Sequence, residues 1–504
     1  MKILFSFVLV LIGITFISGW AAEKPATRPN ILLMLADDWG PDHASILGDA
    51  AVKTPVFDTL AREGILFKNA YAAVPSCTGS RAAILSGQAS HRLQGAINLS
   101  CVWKDIPPLY TDLLEKSGYH VGYMEKGWGP GETAEKRKNP AGASFKNFKQ
   151  FMAARAAKQP FCFWFGSHDP HRGYLPGLTK KMNIDVKKIS VPPFLPDNAV
   201  IRADMADYYA EVQKFDKECG EMIEYLKAQG LYENTLLVMT GDHGYPFPRG
   251  KGHLYDSGVK VPLAMQWPAK ISGQRVLTDF VSLADCAPTF LEAAGLPVPA
   301  VMTAKSLMNI FSSKEQGRVD PARSMIFCER ERHTWCHENG QSYPSRSVRT
   351  DDYLYIANMR PNLYPAGHPY LNRKGKELAV GHVDCDEGPS KSFIIKNKDN
   401  PDIKLFYERC FGKRPAEELY DVKADPFMLN NLVAQEKFAT ALQQMRGKLQ
   451  NWMQQTLDPR ARGETDIWDA PAEHRQPRAD VQSPGFKSEQ EKPASQKESA
   501  KALL

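Results

Sequence analysis

Beyond its N-terminus the 504-residue chain has no apolar run long enough to cross a bilayer, so no membrane span is expected in the mature protein. It also lacks a strong charge of either sign. The formal net charge is +6, which solubility alone explains and which gives no reason to expect a nucleic-acid partner. No repeat of fixed period occurs, which sets aside solenoids and propellers. No cysteine stands beside the small residues that follow the N-terminal apolar segment, which sets aside a lipid anchor there. Nor are the cysteines even in number: nine leave one over, as suits a chain that reserves one for chemistry. Spacing does not pair the other eight.

What is present is globular: 43% hydrophobic and 24% charged residues, enough for one large domain and a smaller one. Lys2 precedes an apolar stretch from Ile3 to Ile17, followed by Ser18-Gly19-Trp20-Ala21-Ala22-Glu23. A basic start, an apolar stretch and small residues describe a signal peptide over residues 1–22, cut near Ala21 or Ala22. A membrane anchor is the competing reading, but the run is short for a span. An exported protein, periplasmic or secreted, is expected.

Asn30 to Ala36 is a continuous apolar run that ends in Asp37-Asp38-Trp39-Gly40. Thr235 to Thr240 ends in Gly241-Asp242-His243-Gly244, and Phe161 to Phe165 ends in Gly166-Ser167-His168-Asp169-Pro170-His171. Such runs suit strands buried on both faces. Between the second and third in chain order, Tyr208, Val212, Phe215, Cys219, Met222, Ile223 and Leu226 recur at helical spacing within 203–229, and Gly230 can stop the helix. Alternating strands and helices predict an α/β domain over residues 28–315, a large, mainly parallel sheet sandwiched by helices. Ligands in such sheets gather beyond the carboxyl ends of strands, where all three runs deliver polar residues.

After about residue 315 the elements shorten, including 347–350 and 353–356, with a last helix over about 435–453. This predicts a smaller C-terminal α+β domain over 316–460 carrying an antiparallel sheet. Residues 461–504, rich from Asp469 in Pro, Gln, Ser, Lys and Glu, read as a polar, disordered tail that cannot bury enough surface to offset ordering.

Cys77-Thr78-Gly79-Ser80-Arg81, followed by Ala82-Ala83-Ile84-Leu85-Ser86-Gly87, resembles the signature of the type I, formylglycine-dependent sulfatases of the alkaline phosphatase superfamily. A lone cysteine is otherwise most often a small buried hydrophobe. The resemblance implies that a maturase oxidises Cys77 to formylglycine, whose hydrated form attacks sulfur and then expels sulfate, dividing one hard step into two. Gly79 stands where the family usually has Pro, and it loosens the extended peptide that the maturase reads.

Asp37-Asp38 and Asp242-His243 resemble the family's two metal motifs, which implies a single calcium ion near Cys77. Carboxylates from separate strand ends suit an oxygen-preferring cation; His243, where many members have Asn, suits it less and can instead donate a hydrogen bond to sulfate. Lys251 in Gly250-Lys251-Gly252-His253, Lys126 in Tyr123-Met124-Glu125-Lys126-Gly127-Trp128, and His171 after Pro170 match segments whose side chains meet the sulfate or protonate the leaving group. Trp128 replaces a frequent His, leaving open which group orients or deprotonates the diol. Arg81, Lys126, His171 and Lys251 together would stabilise charge building on the sulfuryl oxygens.

The likeness extends from about residue 28 to 435, ending at Glu418-Leu419-Tyr420-Asp421. His168-Asp169-Pro170-His171-Arg172, Gly241 to Pro248 and Tyr343 to Val348 are similar to the heparan N-sulfatase branch, so the implied substrate is a sulfated oligo- or polysaccharide, sulfated on O or N. His168 and Arg172 are candidate substrate contacts. His333, in Glu329-Arg330-Glu331-Arg332-His333, is a further one, with a solvated charge run as the competing reading. Two other functions remain open: a phosphodiester or phosphonate monoester hydrolase of the same superfamily, and a catalytically silent protein that binds sulfated glycans.

Overall fold

The computed structural model describes residues 28–134, 137–337, 340–371, 377, 381–464 and 467–469; the expected signal peptide and most of the expected tail lie outside them. The strands in chain order are β1 (Asn30–Ala36), β2 (Ile65–Tyr71), β3 (Cys101–Trp103), β4 (His120–Glu125) and β5 (Gly131–Thr133). They continue with β6 (Ala143–Ser144), β7 (Phe161–Gly166), β8 (Thr235–Gly241), β9 (Leu263–Gln266) and β10 (Arg275–Ser282). The C-terminal part adds β11 (Met325–Arg330), β12 (Ser345–Thr350), β13 (Tyr353–Asn358) and β14 (Glu417–Asp421).

Eight strands form one sheet in the order β10-β2-β9-β8-β1-β7-β4-β6. Only β9 runs against its neighbours, β2 and β8; the remaining pairings are parallel. The three apolar runs are thus β1, β7 and β8, side by side at the centre. Alternate side chains enter two separate cores. Ile31, Leu33 and Leu35 face one with Val238 and Trp164, while Leu32 and Met34 face the other with Met239 and Phe163. Burial on both faces is why these strands read as unbroken apolar runs.

The expected helix spans Ala199–Ala228 and starts earlier than its apolar stripe, because Asn198 accepts from the N–H groups of Val200 and Ile201 at 2.9 and 3.1 Å. Its stripe, including Tyr208, Val212, Phe215 and Leu226, covers the second core.

The smaller sheet is antiparallel, in the order β11-β12-β13-β14. Val348, Tyr355 and Leu419 on one face pack beneath Leu442, Met445 and Leu449 of the helix Ala439–Gln455. Leu354, Ile356 and Tyr420 on the other face meet Tyr71, Val259 and Phe280 of the larger unit. The packed chain continues at least to Asp469, past residue 461 where a polar tail was expected to begin. Trp468 is 1% exposed and its indole N–H donates to the Gln94 carbonyl at 3.0 Å, while Asp469 accepts from the Ser342 N–H and hydroxyl. One aromatic in a polar stretch carried no periodic signal, and only its remote socket orders the segment.

Arg346 of β12 ties this region together. Its guanidinium, fully buried, meets Asp458 at 2.6 and 3.1 Å and Glu331 at 2.8 Å. Removing it would strand the buried Asp458 carboxylate and leave Glu331 with Arg460 alone. Arg346→Met is expected to lower unfolding free energy by about 3–5 kcal/mol, read from urea denaturation followed by fluorescence.

Candidate active site

β8, β1, β7 and β4 are adjacent and parallel, so their carboxyl ends open at one edge of the sheet. There they present Asp242-His243, Asp37-Asp38, His168 to His171, and Lys126. Asp38 adopts a φ of +73°, a left-handed conformation that Asp tolerates better than most residues. The turn lets its N–H donate to Asp242 Oδ1 at 3.0 Å, so the two acidic motifs lock to each other.

Cys77 is the first residue of the helix Cys77–Ser86, whose unpaired N–H groups make a positive end there. Its Sγ lies 3.4 Å from Asp37 Oδ1 and 3.2 Å from His243 Nε2. Burial, reinforced by Asp37, pushes the thiol well above its usual pKa, so the unmodified side chain is a protonated and poor nucleophile. Arg81, four residues on and hence on the same helical face, has its Nε 2.9 Å from Asp242 Oδ2 and donates to the carbonyls of Lys126 and Gly127. Gly79 has a structural reason: a Cβ there would fall 2.7 Å from the Ile97 carbonyl oxygen, so neither Pro nor Ala fits without moving that backbone.

Two ammonium groups flank the pocket. Lys126 Nζ meets Asp37 Oδ2 at 2.5 Å, and Lys251 Nζ meets Asp38 Oδ2 at 2.9 Å. Burial would raise the Asp37 pKa, but Lys126, His171, Arg81 and Lys251 together hold it well below the usual carboxylate range. For Asp38 burial wins over Lys251 and the value rises. Burial likewise opposes charge on both lysines, yet the facing carboxylates keep both pKa values raised.

The other expected residues divide. His171 is half-buried at the mouth, its Nε2 3.9 Å from Asp38 Oδ2. His168 is exposed at the rim. Arg172 is tied down: it meets both oxygens of Asp204 at 2.7 and 2.9 Å, donates to the Pro246 carbonyl, and packs against Phe247. His333 is buried, with Nδ1 2.8 Å from Ser76 Oγ, next to Cys77. Its segment is not a solvated run: Glu329 takes His91 at 2.7 Å, Arg330 takes Asp384 at 2.6 Å, and Glu331 takes Arg346 and Arg460. Trp128 is buried with its ring centroid 5.2 Å from that of Trp103, and so belongs to the packing. Sequence reasoning missed Asp386, whose Oδ2 is 3.1 Å from Lys251 Nζ. A single acid in a polar stretch gave no motif.

Oxygen, sulfur and nitrogen atoms of Asp37, Asp38, Cys77 and His243 lie within 4.8 Å of one another. Asp38 Oδ1 is buried without a hydrogen-bond partner among the described residues, an orphaned acceptor that a cation would satisfy. Counting Asp242 and Asp386, four carboxylates face three permanent cations, Arg81, Lys126 and Lys251. That net charge of about minus one leaves room for a divalent cation and a singly charged sulfate ester together. The acidic donors fit a hard, oxygen-preferring ion; the imidazole of His243 fits it less well.

The sulfatase family model matches residues 29–143 and 140–296, together more than half of the chain. The chain belongs to the sulfatase family, and it is an enzyme of that class. Within it, residues 241–361 match the model of the N-sulphoglucosamine sulphohydrolase C-terminal region. Among curated relatives, human (Homo sapiens) N-sulphoglucosamine sulphohydrolase is 27% identical, with 86% of this chain and 91% of that protein covered. An ulvan-active sulfatase of Formosa agariphila is 26% identical, covering 85% and 75% respectively. In fold the chain is similar to a protein solved with its substrate D-glucosamine-2-N,6-O-disulfate, at TM-score 0.60 and 19% identity over 86% of this chain and 98% of that one. It is also similar to the phosphonate monoester hydrolase of Agrobacterium radiobacter, at TM-score 0.61 and 17% identity over 86% and 97%.

Burial holds His333 neutral in the fold, at a pKa of about 3. The unfolded chain takes up this proton near pH 6.5, so unfolding is favoured as pH falls through that window, by up to about 1.4 kcal/mol per pH unit. Urea denaturation at pH 6.5 and 5 should therefore show a steeper loss for the unsubstituted protein than for His333→Gln.

Proposed function

We propose that this sulfatase removes sulfate from a sulfated glycan at the Cys77 pocket, with residue 77 carried as formylglycine and calcium held by Asp37, Asp38 and Asp242. The observation that carries the reading is the meeting of Cys77, two carboxylate motifs and two lysines within one buried, nearly charge-balanced pocket. The names of the relatives support a sulfated saccharide, with sulfate on oxygen or nitrogen. The N-terminal pattern supports export, and the sequence around Cys77 supports recognition by a formylglycine-generating maturase. Among the described residues no helix is long and apolar enough to cross a membrane.

Formylglycine, when hydrated, supplies an oxygen nucleophile where the thiol stands. Calcium supplies positive charge beside it. The protein's own groups do the rest. Lys126 and Lys251 bind the sulfuryl oxygens and offset the charge that builds as sulfur is attacked. Arg81, locked to Asp242, fixes one wall of the pocket. His243 Nδ1 is 3.0 Å from the Gly244 carbonyl, so that nitrogen holds the proton and Nε2 presents a lone pair toward residue 77. Nε2 would be placed to hold a proton released at residue 77, a role that Trp128 cannot fill. His171 at the mouth holds a proton for the departing oxygen or nitrogen, His168 lines the approach of the sugar, and the buried His333 holds Ser76 beside residue 77.

Three measurements test this. Co-expression with a maturase should convert residue 77, so that the denatured protein titrates eight thiols with a disulfide reagent instead of the nine in the sequence; nine after such maturation would refute conversion. Cys77→Ala should lower sulfate release from a defined sulfated oligosaccharide by at least about a thousandfold, assayed by ion chromatography. Calcium should raise the melting temperature of the unsubstituted protein and leave Asp38→Ala unmoved. Faster turnover of a phosphonate monoester than of a sulfate ester would favour the other hydrolase reading, and binding without release from matured protein would favour a silent one.

A further inference from the structure

Asp386 lies beyond both family-model matches, which end at residues 296 and 361, yet it reaches the centre of the pocket. The ammonium of Lys251 is divided between two buried carboxylates, Asp38 at 2.9 Å and Asp386 at 3.1 Å. Asp38 belongs to the group with Asp37, Cys77 and His243, whereas Asp386 stands outside that group and neighbours Asp38 and His171 on its other side.

The segment that carries Asp386 is held on several sides. Asp384 accepts from Arg330 at 2.6 Å and from the N–H and hydroxyl of Thr334. Lys391 donates to the Cys385 carbonyl at 2.9 Å, and Ser390 donates through N–H and hydroxyl to Asp204, the partner of Arg172. A Cβ on Gly388 would fall 2.4 Å from the Arg172 guanidinium, so the segment lies directly against that side chain. Packing, not chance side-chain rotation, therefore sets where the Asp386 carboxylate stands.

We propose that Asp386 is a positioning residue that acts through Lys251, drawing the ammonium partly off Asp38. A divalent cation and an ammonium that share one carboxylate repel each other. A second carboxylate resolves the competition: Asp38 keeps an oxygen for the cation, and the ammonium stays in place facing the sulfuryl group. Without Asp386, Lys251 collapses onto Asp38 and competes with the cation for it. This rests on the reading that Lys251 faces sulfate and Asp38 a cation.

The test is a double-mutant cycle on the matured full chain with Asp386→Asn, Lys251→Ala and the pair, and with Asp386→Glu as the conservative variant. Calcium affinity is read by titration calorimetry, and kcat/KM by release of sulfate from an aryl sulfate at saturating calcium. Asp386→Asn should weaken calcium binding by about tenfold and lower kcat/KM by about a hundredfold, with Asp386→Glu recovering part of each. In the Lys251→Ala background the same change should alter either value by no more than about threefold. Equal losses in both backgrounds would overturn the proposal, since Asp386 would then act without Lys251; so would an Asp386→Asn protein with unchanged calcium affinity and turnover. An unsubstituted matured enzyme that releases no sulfate would sink the functional reading instead, while the calorimetric cycle would still judge this one.

Discussion

The pocket depends on keeping several like charges close together without water to separate them. Asp37, Asp38 and Asp242 stand at the ends of two adjacent strands, where unrelieved repulsion would protonate some of them or force them apart. Three cations prevent it, each from a different part of the chain: Arg81 one turn into the Cys77 helix, Lys126 beyond β4, and Lys251 beyond β8. Each cation contacts an acid directly, so no member can be removed without stranding another in a region of low dielectric. Among the described residues, Asp38 Oδ1 and Arg81 Nη2 are the atoms of this arrangement left without a hydrogen-bond partner.

The smaller unit is more than a lid on the larger one. Five consecutive residues, Glu329 to His333, close β11 and continue past it, and four of them are engaged with other parts of the chain. Glu329 grips His91, Arg330 grips Asp384, and Glu331 joins Arg346. His333 reaches the residue that precedes Cys77. The same charge density that would suit a solvated surface has been turned inward, which is tolerated because three of the four charges have ionic partners and Arg332 stacks its guanidinium on the Trp335 ring at 3.4 Å. The Cys77 helix is thereby braced from its amino end by the C-terminal part of the protein.

The departures from the usual family pattern have packing explanations. Gly79 admits the Ile97 backbone against the helix. Trp128 fills a tryptophan-lined hollow with Trp103. His243, in place of an amide, sets a ring nitrogen 3.2 Å from Cys77 Sγ.

By itself the sequence determined what depends on local pattern. Unbroken apolar runs meant strands buried on both faces, a 3.6-residue stripe meant the long helix, and abrupt polar ends of runs placed Asp37, Asp38, Asp242 and His243 at one edge of a parallel sheet. The four-residue spacing of Cys77 and Arg81 put both on one helical face. Only the tertiary structure decided matters that turn on a partner far away in the chain. Lys251 and Asp386 are 135 positions apart, Arg172 is claimed by Asp204 rather than left for a ligand, and Trp468 is ordered by a socket near Gln94. A lone charged or aromatic residue has no periodicity to read, and whether it faces substrate, a counter-ion or the core is settled by what the folded chain brings beside it.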